Sequence, residues 1–153
     1  GEKVYPAVTQ CGSCVHFAHP VFEAYHRYNA HWMRTMVGNA IRMLVDPVLT
    51  HNGPTTLIVT VNEQTGHGRD VMHMLHYIPS RFGALHERID DIIPLHDVAV
   101  SFRTTREVKK VLLVPDGRSV DWTRTGERIA FTVPRVDGHR MVAIEYAPSH
   151  PAS

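Results

Sequence analysis

The amino-acid sequence predicts a mainly β fold, an antiparallel β-sandwich preceded by the last strand and helix of an α/β layer. Three observations carry that expectation. Before Pro47 the apolar residues recur at steps of three and four, whereas from Thr55 onward they alternate at steps of two, the periods of helix and strand. Turn sequences carrying glycine then punctuate the second part, at Thr65-Gly66-His67-Gly68, Asp116-Gly117, Thr125-Gly126 and Asp137-Gly138. Between the parts, Asp46-Pro47 ends the helical period, because proline offers no backbone N–H and fixes φ. Two domains are expected, residues 1–50 and 51–153, with the seam inside 45–54.

From the N-terminus, Pro6–Thr9 and Val15–Ala18 read as short extended segments around a turn at Gly12-Ser13, and His19-Pro20 stops the second. One helix is expected to start between Phe22 and Ala30, with Asn29 as its candidate N-cap, and to run to Leu44 or Val45. Trp32, Met33, Met36, Val37, Ala40, Ile41 and Leu44 fall on one stripe of it, while Arg34, Thr35, Asn39 and Arg42 lie mostly elsewhere. A strand followed by a helix with one apolar face is the margin of an α/β layer, and the units that would complete the layer are expected upstream.

The strands follow in order. Leu57, Val59 and Val61 share one face, and Val71, His73, Leu75 and Tyr77 share another. Next come Val98, Val100 and Phe102, the run from Val108 to Val114, then Ile129, Phe131 and Val133, and last Val142, Ile144 and Tyr146. About seven strands of this spacing predict a sandwich. Ile89, Ile92 and Ile93, in the irregular stretch from Pro79 to Pro94, are placed as a crossing between sheets or a closure of the sandwich edge. Pro148–Ser153 reads as a loose tail.

With 153 residues, 43% of them apolar and 20% charged, the chain can bury a core. A formal charge of +1 with scattered Lys and Arg excludes a strong field, so neither nucleic acid nor an anionic membrane is the expected partner. No apolar run approaches the roughly 20 residues needed to cross a bilayer. The sequence opens on Gly1 without a signal-peptide layout, which fits a processed or partial chain.

Chemistry is sparse. Cys11 and Cys14 form a C-x-x-C pair with His16 and His19 nearby, the donor types that bind zinc. A redox pair of this kind ordinarily opens a helix, whereas Cys14 leads into a strand, and no second donor cluster follows. Two ordinary cysteines beside a strand is therefore the leading reading, no zinc is expected, and Cys11, Cys14, His16 and His19 are the minor metal candidates. Of twelve histidines, His16, His73, His76, His86, His96 and His139 fall in or beside strands, where backbone groups can satisfy a neutral imidazole. His73 and His76 should point to opposite faces.

The carboxylates show no catalytic pairing. Asp90 and Asp91 are adjacent, and Glu63, Glu87 and Glu145 have no visible partner, so turn, cap and surface roles outweigh catalysis. No serine sits in a G-x-S-x-G turn. Tyr77 and Trp122 are the candidates for stacking on a sugar ring, although their parity with Leu75 and Val120 favours packing. No cofactor is expected.

The sequence Val15-His16-Phe17-Ala18-His19-Pro20-Val21-Phe22, then Tyr25 and Tyr28, then Gly38-Asn39-Ala40-Ile41-Arg42-Met43-Leu44 resembles the last strand and helix of the β-galactosidase trimerisation domain. That family has a flavodoxin-like, class I glutamine-amidotransferase-like fold. Further on, the runs His73–Pro79, Asp91–Val98 and Val133–Val142 resemble the C-terminal β-sandwich of bacterial glycoside hydrolases carrying such a domain, α-L-fucosidase-like and β-galactosidase-like proteins among them. The resemblance spans nearly the whole chain. It implies that the catalytic carboxylates lie on an upstream (β/α)₈ barrel, so no catalytic residue is assigned to this sequence. It also implies that the amidotransferase-like domain serves assembly, sometimes walling a neighbouring subunit's active site.

The combined expectation is a non-catalytic structural and assembly segment of a multidomain glycoside hydrolase. Its partners would be the upstream domains, other subunits and, for the parent enzyme, a carbohydrate substrate. Two alternatives stand beside it: a carbohydrate-binding sandwich using Tyr77 and Trp122, and a small metal-binding protein using Cys11 and Cys14.

Overall fold

A computed structural model describes residues 5–83 and 86–148, and the chain divides into two compact units, Gly1–Pro47 and Val48–Ser153. In the first unit, strands β1 (Val8–Cys11) and β2 (Cys14–Phe17) form an antiparallel hairpin about Gly12-Ser13. Val15 and Phe17 are half-buried while Cys14 and His16 are exposed, the alternation a pleated strand imposes.

Two helices follow where one was expected: α1 (Val21–Tyr28) and α2 (His31–Leu44). Asn29, the expected N-cap, instead closes α1. It takes the left-handed conformation, φ 48° and ψ 36°, and its N–H donates to the Tyr25 carbonyl at 2.7 Å. Asparagine tolerates that conformation better than other residues with a Cβ, which makes it a stop as readily as a start. Ala30 then resets the backbone to extended, φ −76° and ψ 118°, and α2 begins without a side-chain cap.

The second unit is an antiparallel sandwich. Its strands are β3 (Leu49–His51), β4 (Leu57–Gln64), β5 (Arg69–His76), β6 (Ser80–Phe82), β7 (His86–Arg88), β8 (Leu95–Arg103), β9 (Val108–Val114), β10 (Arg118–Ser119), β11 (Trp122–Thr125), β12 (Arg128–Val136) and β13 (His139–Tyr146). One sheet has the order β10-β9-β13-β5-β4 and the other β11-β12-β8-β3, while β6 and β7 pair as a separate hairpin. Among the described residues nine strands stand in the two sheets, and β3, β10 and β11 exceed the sequence expectation because they are too short to show a period.

Met72, Met74, Val111, Leu113, Val142 and Ile144 of the first sheet meet Val98, Val100, Phe102, Ile129, Phe131 and Val133 of the second in one continuous core. The inward face of β5 is therefore Asp70, Met72, Met74 and His76. The apolar-looking set Val71, His73, Leu75 and Tyr77 has the opposite parity. The polar residues at both ends of the inward set hide it from a search for hydrophobic alternation.

The β9 pattern steps from Val108 to Val111, leaving Lys109 and Lys110 both exposed, because the ladder to β13 shifts between Glu145 and Tyr146. Ile89, Ile92 and Ile93 are exposed and stand outside the core. The tail expected at 148–153 falls outside the described residues from 149 onward.

Three expected turns, at Gly68, Gly117 and Gly126, separate consecutive strands with φ of 60°, 68° and 59°. The fourth, Asp137-Gly138, is not a hairpin. It carries the chain from β12 in one sheet to β13 in the other. Gly138 has φ 68°, and a Cβ there would stand 2.7 Å from the Tyr77 hydroxyl. Its carbonyl accepts the His76 N–H at 2.7 Å. Only glycine meets both the left-handed backbone and the close ring.

Candidate functional site

The β1–β2 ladder pairs Val8 with Phe17, Thr9 with His16, Gln10 with Val15 and Cys11 with Cys14. Paired residues of a hairpin lie on the same side of it, so Thr9, Cys11, Cys14 and His16 share one face. Both cysteines are exposed free thiols. His19 lies beyond the strand, before Pro20. Among the described residues, no group of three or more His, Cys, Asp or Glu side chains is gathered to hold a metal ion.

Trp122 stands at the start of β11, opposite Phe131 in the ladder, and packs against the rim of the core. Its exposed part lines an open cleft of about 630 Å³ together with Arg118, Asp121, Thr123, Thr132 and Pro134. Tyr77 does not line that cleft. It follows β5 and lays its ring against Gly138. The two aromatic candidates therefore do not form one sugar platform.

A buried polar constellation lies at the end of the five-stranded sheet. The Tyr146 hydroxyl, on β13, donates to Asp70 Oδ2 of β5 at 2.5 Å and accepts from Thr104 Oγ1 at 3.4 Å. All three residues are buried. Arg106 lies 3.7 Å above the Tyr146 ring and donates to Asp70 Oδ1 at 3.5 Å and to Glu63 Oε1 at 3.1 Å. Arg124 fixes the loop between β8 and β9, donating to the carbonyls of Arg106 and Thr104, each at 2.9 Å.

Burial, and then the bond to Asp70, raise the Tyr146 phenol from its usual value to about 12. The protonated phenol donates to the buried Asp70 carboxyl. The constellation ties β4, β5, β13 and the β8–β9 loop together. Sequence reasoning missed it, although Asp70 carries the signal: a carboxyl sharing parity with Met72 and Met74 must be buried and must find donors.

Among the described residues, three of the carboxyls singled out in the sequence sit in separate ion pairs. Glu63 pairs with Arg106, Glu87 with Arg81 at 4.0 Å and Asp90 with Arg88. His76 is buried against Thr56, Nδ1 to Oγ1 3.2 Å, whereas His73 lies on the outer face and stacks on His139, with Nδ1 of one 3.2 Å from Nε2 of the other. No carboxyl pair with open space between its members appears in these interactions.

The first unit has an unusual surface. Of its large apolar side chains, Phe22 is 70% exposed, Trp32 60%, Met43 62% and Ile41 57%. A groove of about 780 Å³ runs between the hairpin and α2, walled by Val8, Val15 and Phe17 on one side and Trp32, Met36 and Ala40 on the other. A second groove lies between α1 and α2, walled by Phe22, Tyr25, Met33, Val37 and Ile41.

Neither a protein-family model nor a curated protein matches the sequence. Among solved structures, the chain is similar to alpha-L-fucosidase isoenzyme 2 from Paenibacillus thiaminolyticus, with a TM-score of 0.87 and 30% identity, over 93% of this chain and 22% of that one. The chain thus spans about a fifth of the length of that neighbour. Its fold is α-L-fucosidase-like and related to the glycoside hydrolases.

Proposed function

We propose that this chain is a non-catalytic C-terminal structural and assembly segment of a multidomain glycoside hydrolase. The observation that carries the reading is the pairing of a match over 93% of this chain with only 22% of an α-L-fucosidase. A likeness so complete on one side and so partial on the other fits one portion of a larger enzyme. The apolar faces of α1 and α2 support the same reading. Burying a large side chain contributes about 1.5 to 3 kcal/mol, and Phe22, Trp32, Ile41 and Met43 leave most of that unrealised.

In finer terms, the first unit is the closing part of a flavodoxin-like trimerisation domain of the β-galactosidase type. Its grooves receive the upstream strands and helices of that layer, and through them other subunits. The catalytic carboxyls belong to the upstream barrel.

The test has two arms. The purified 153-residue chain should hydrolyse neither 4-nitrophenyl α-L-fucoside nor 4-nitrophenyl β-D-galactoside. An antibody against residues 48–148 should detect, in the source cells, a polypeptide several times the 17.3 kDa of this chain, co-eluting with glycosidase activity. Turnover by the isolated chain, or a native polypeptide of 17.3 kDa, would overturn the reading.

The Trp122 cleft favours a second reading, a carbohydrate-binding sandwich. An aromatic face among Arg118, Asp121 and Thr123 offers stacking and hydrogen-bonding groups in one place. Titration with fucose and galactose oligosaccharides, followed by Trp fluorescence and lost in Trp122→Ala, would establish it.

A further inference from the structure

We propose that Cys11 and Cys14 form a reversible disulfide that closes the tip of the β1–β2 hairpin. The two residues are direct partners in the ladder. Opposed residues of antiparallel strands stand about 4.5 to 5.5 Å apart at Cα, inside the range of roughly 4.4 to 6.8 Å that disulfides span. Gly12, at φ 55°, already supplies the left-handed residue of the two-residue turn. Both side chains lie on the exposed face, with Thr9 and His16, while the half-buried Val15 and Phe17 occupy the other. The bond therefore forms without disturbing the apolar wall that the hairpin presents to α2.

The oxidant is a small-molecule disulfide of the glutathione class. The thiolate of one cysteine attacks a sulfur of the oxidant, forming a mixed disulfide and releasing one small thiol. The thiolate of the other cysteine attacks the protein sulfur of that intermediate, forming the Cys11–Cys14 bond and releasing the second small thiol. Each cysteine gives up one proton and one electron, and the oxidant is reduced to two thiols. Oxidation pins a hairpin held by four residue pairs, which forms one wall of the groove beside α2, and reduction releases it.

The experiment equilibrates the full chain with excess oxidised glutathione and reads free thiols and intact mass. Free thiols should fall from two to none per chain, the mass should fall by two hydrogens with no adduct, and dithiothreitol should restore both thiols. Cys11→Ser, which has no second thiol to complete the exchange, should instead retain one glutathione. Both positions are exposed, so the variant keeps its fold. Persistent glutathione adducts or disulfide-linked dimers of the wild-type chain would overturn the proposal. So would retention of both wild-type thiols, whether or not Cys11→Ser reacts.

Discussion

Replacing Tyr146 by Phe removes one oxygen from the interior and leaves the ring in place. Asp70 then loses the donor that stands 2.5 Å from Oδ2, Thr104 loses its acceptor, and the Arg106 contact to Oδ1 at 3.5 Å is what the buried carboxyl retains. A hydrogen bond to a charged partner contributes about 1.5 to 3 kcal/mol, and the strandedness of the remaining group sets the cost toward the upper end. With a urea slope of roughly 2 kcal/mol per molar, the unfolding midpoint of the full chain should fall by about 1 to 1.5 M at unchanged slope. Far-UV circular dichroism reads the transition of the strands directly. Asp70→Asn and the double variant complete a cycle, and a coupling on the order of 1 kcal/mol or more between the two positions is expected. A midpoint for Tyr146→Phe within about 0.2 M of the parent, or no coupling in the cycle, would refute the reasoning that this bond organises the end of the sheet.

The other predictions concern the same unit. Because the folded-state phenol of Tyr146 is raised to about 12 from an ordinary value near 10, its contribution is complete below pH ~10 and is lost as pH rises toward 12. Stability should therefore fall across that window, more steeply in the parent than in Tyr146→Phe, as urea titrations at stepped alkaline pH would show. Gly138→Ala meets both a φ of 68° and the Tyr77 ring, and should cost about 1 to 3 kcal/mol. Adding Tyr77→Ala should recover the steric part but not the backbone part, which differential scanning calorimetry of the two single variants and the double would separate. Met72→Ala empties a fully buried position between the sheets and should cost about 2 to 5 kcal/mol by chemical denaturation.

The sandwich was legible because alternation survives wherever a strand is long enough and one face is wholly apolar, as in Val98-Val100-Phe102 and Ile129-Phe131-Val133. It failed on β5, where Asp70 and His76 occupy inward positions and the outer face carries Val71 and Leu75. It failed again at Asn29, whose short side chain suits a helix start and a left-handed stop alike, so that composition alone could not separate α1 from α2. The polar constellation around Tyr146 draws on residues far apart in the chain, from Glu63 to Tyr146. No local spacing announces it. The Cys11–Cys14 spacing was visible as a motif, yet its register in a hairpin required the fold.

The two-residue corner at Asp137-Gly138 has a consequence for how the sandwich comes apart. It joins β12, an interior strand of one sheet, to β13, an interior strand of the other. Neither sheet can lose its middle without dragging on its opposite number, and neither can be completed during folding until the corner has been turned. The two sheets therefore behave as one cooperative body. Amides at the centres of β12 and β13 should exchange with solvent water through the same global opening, at matching free energies, and no half-sandwich should accumulate on the way.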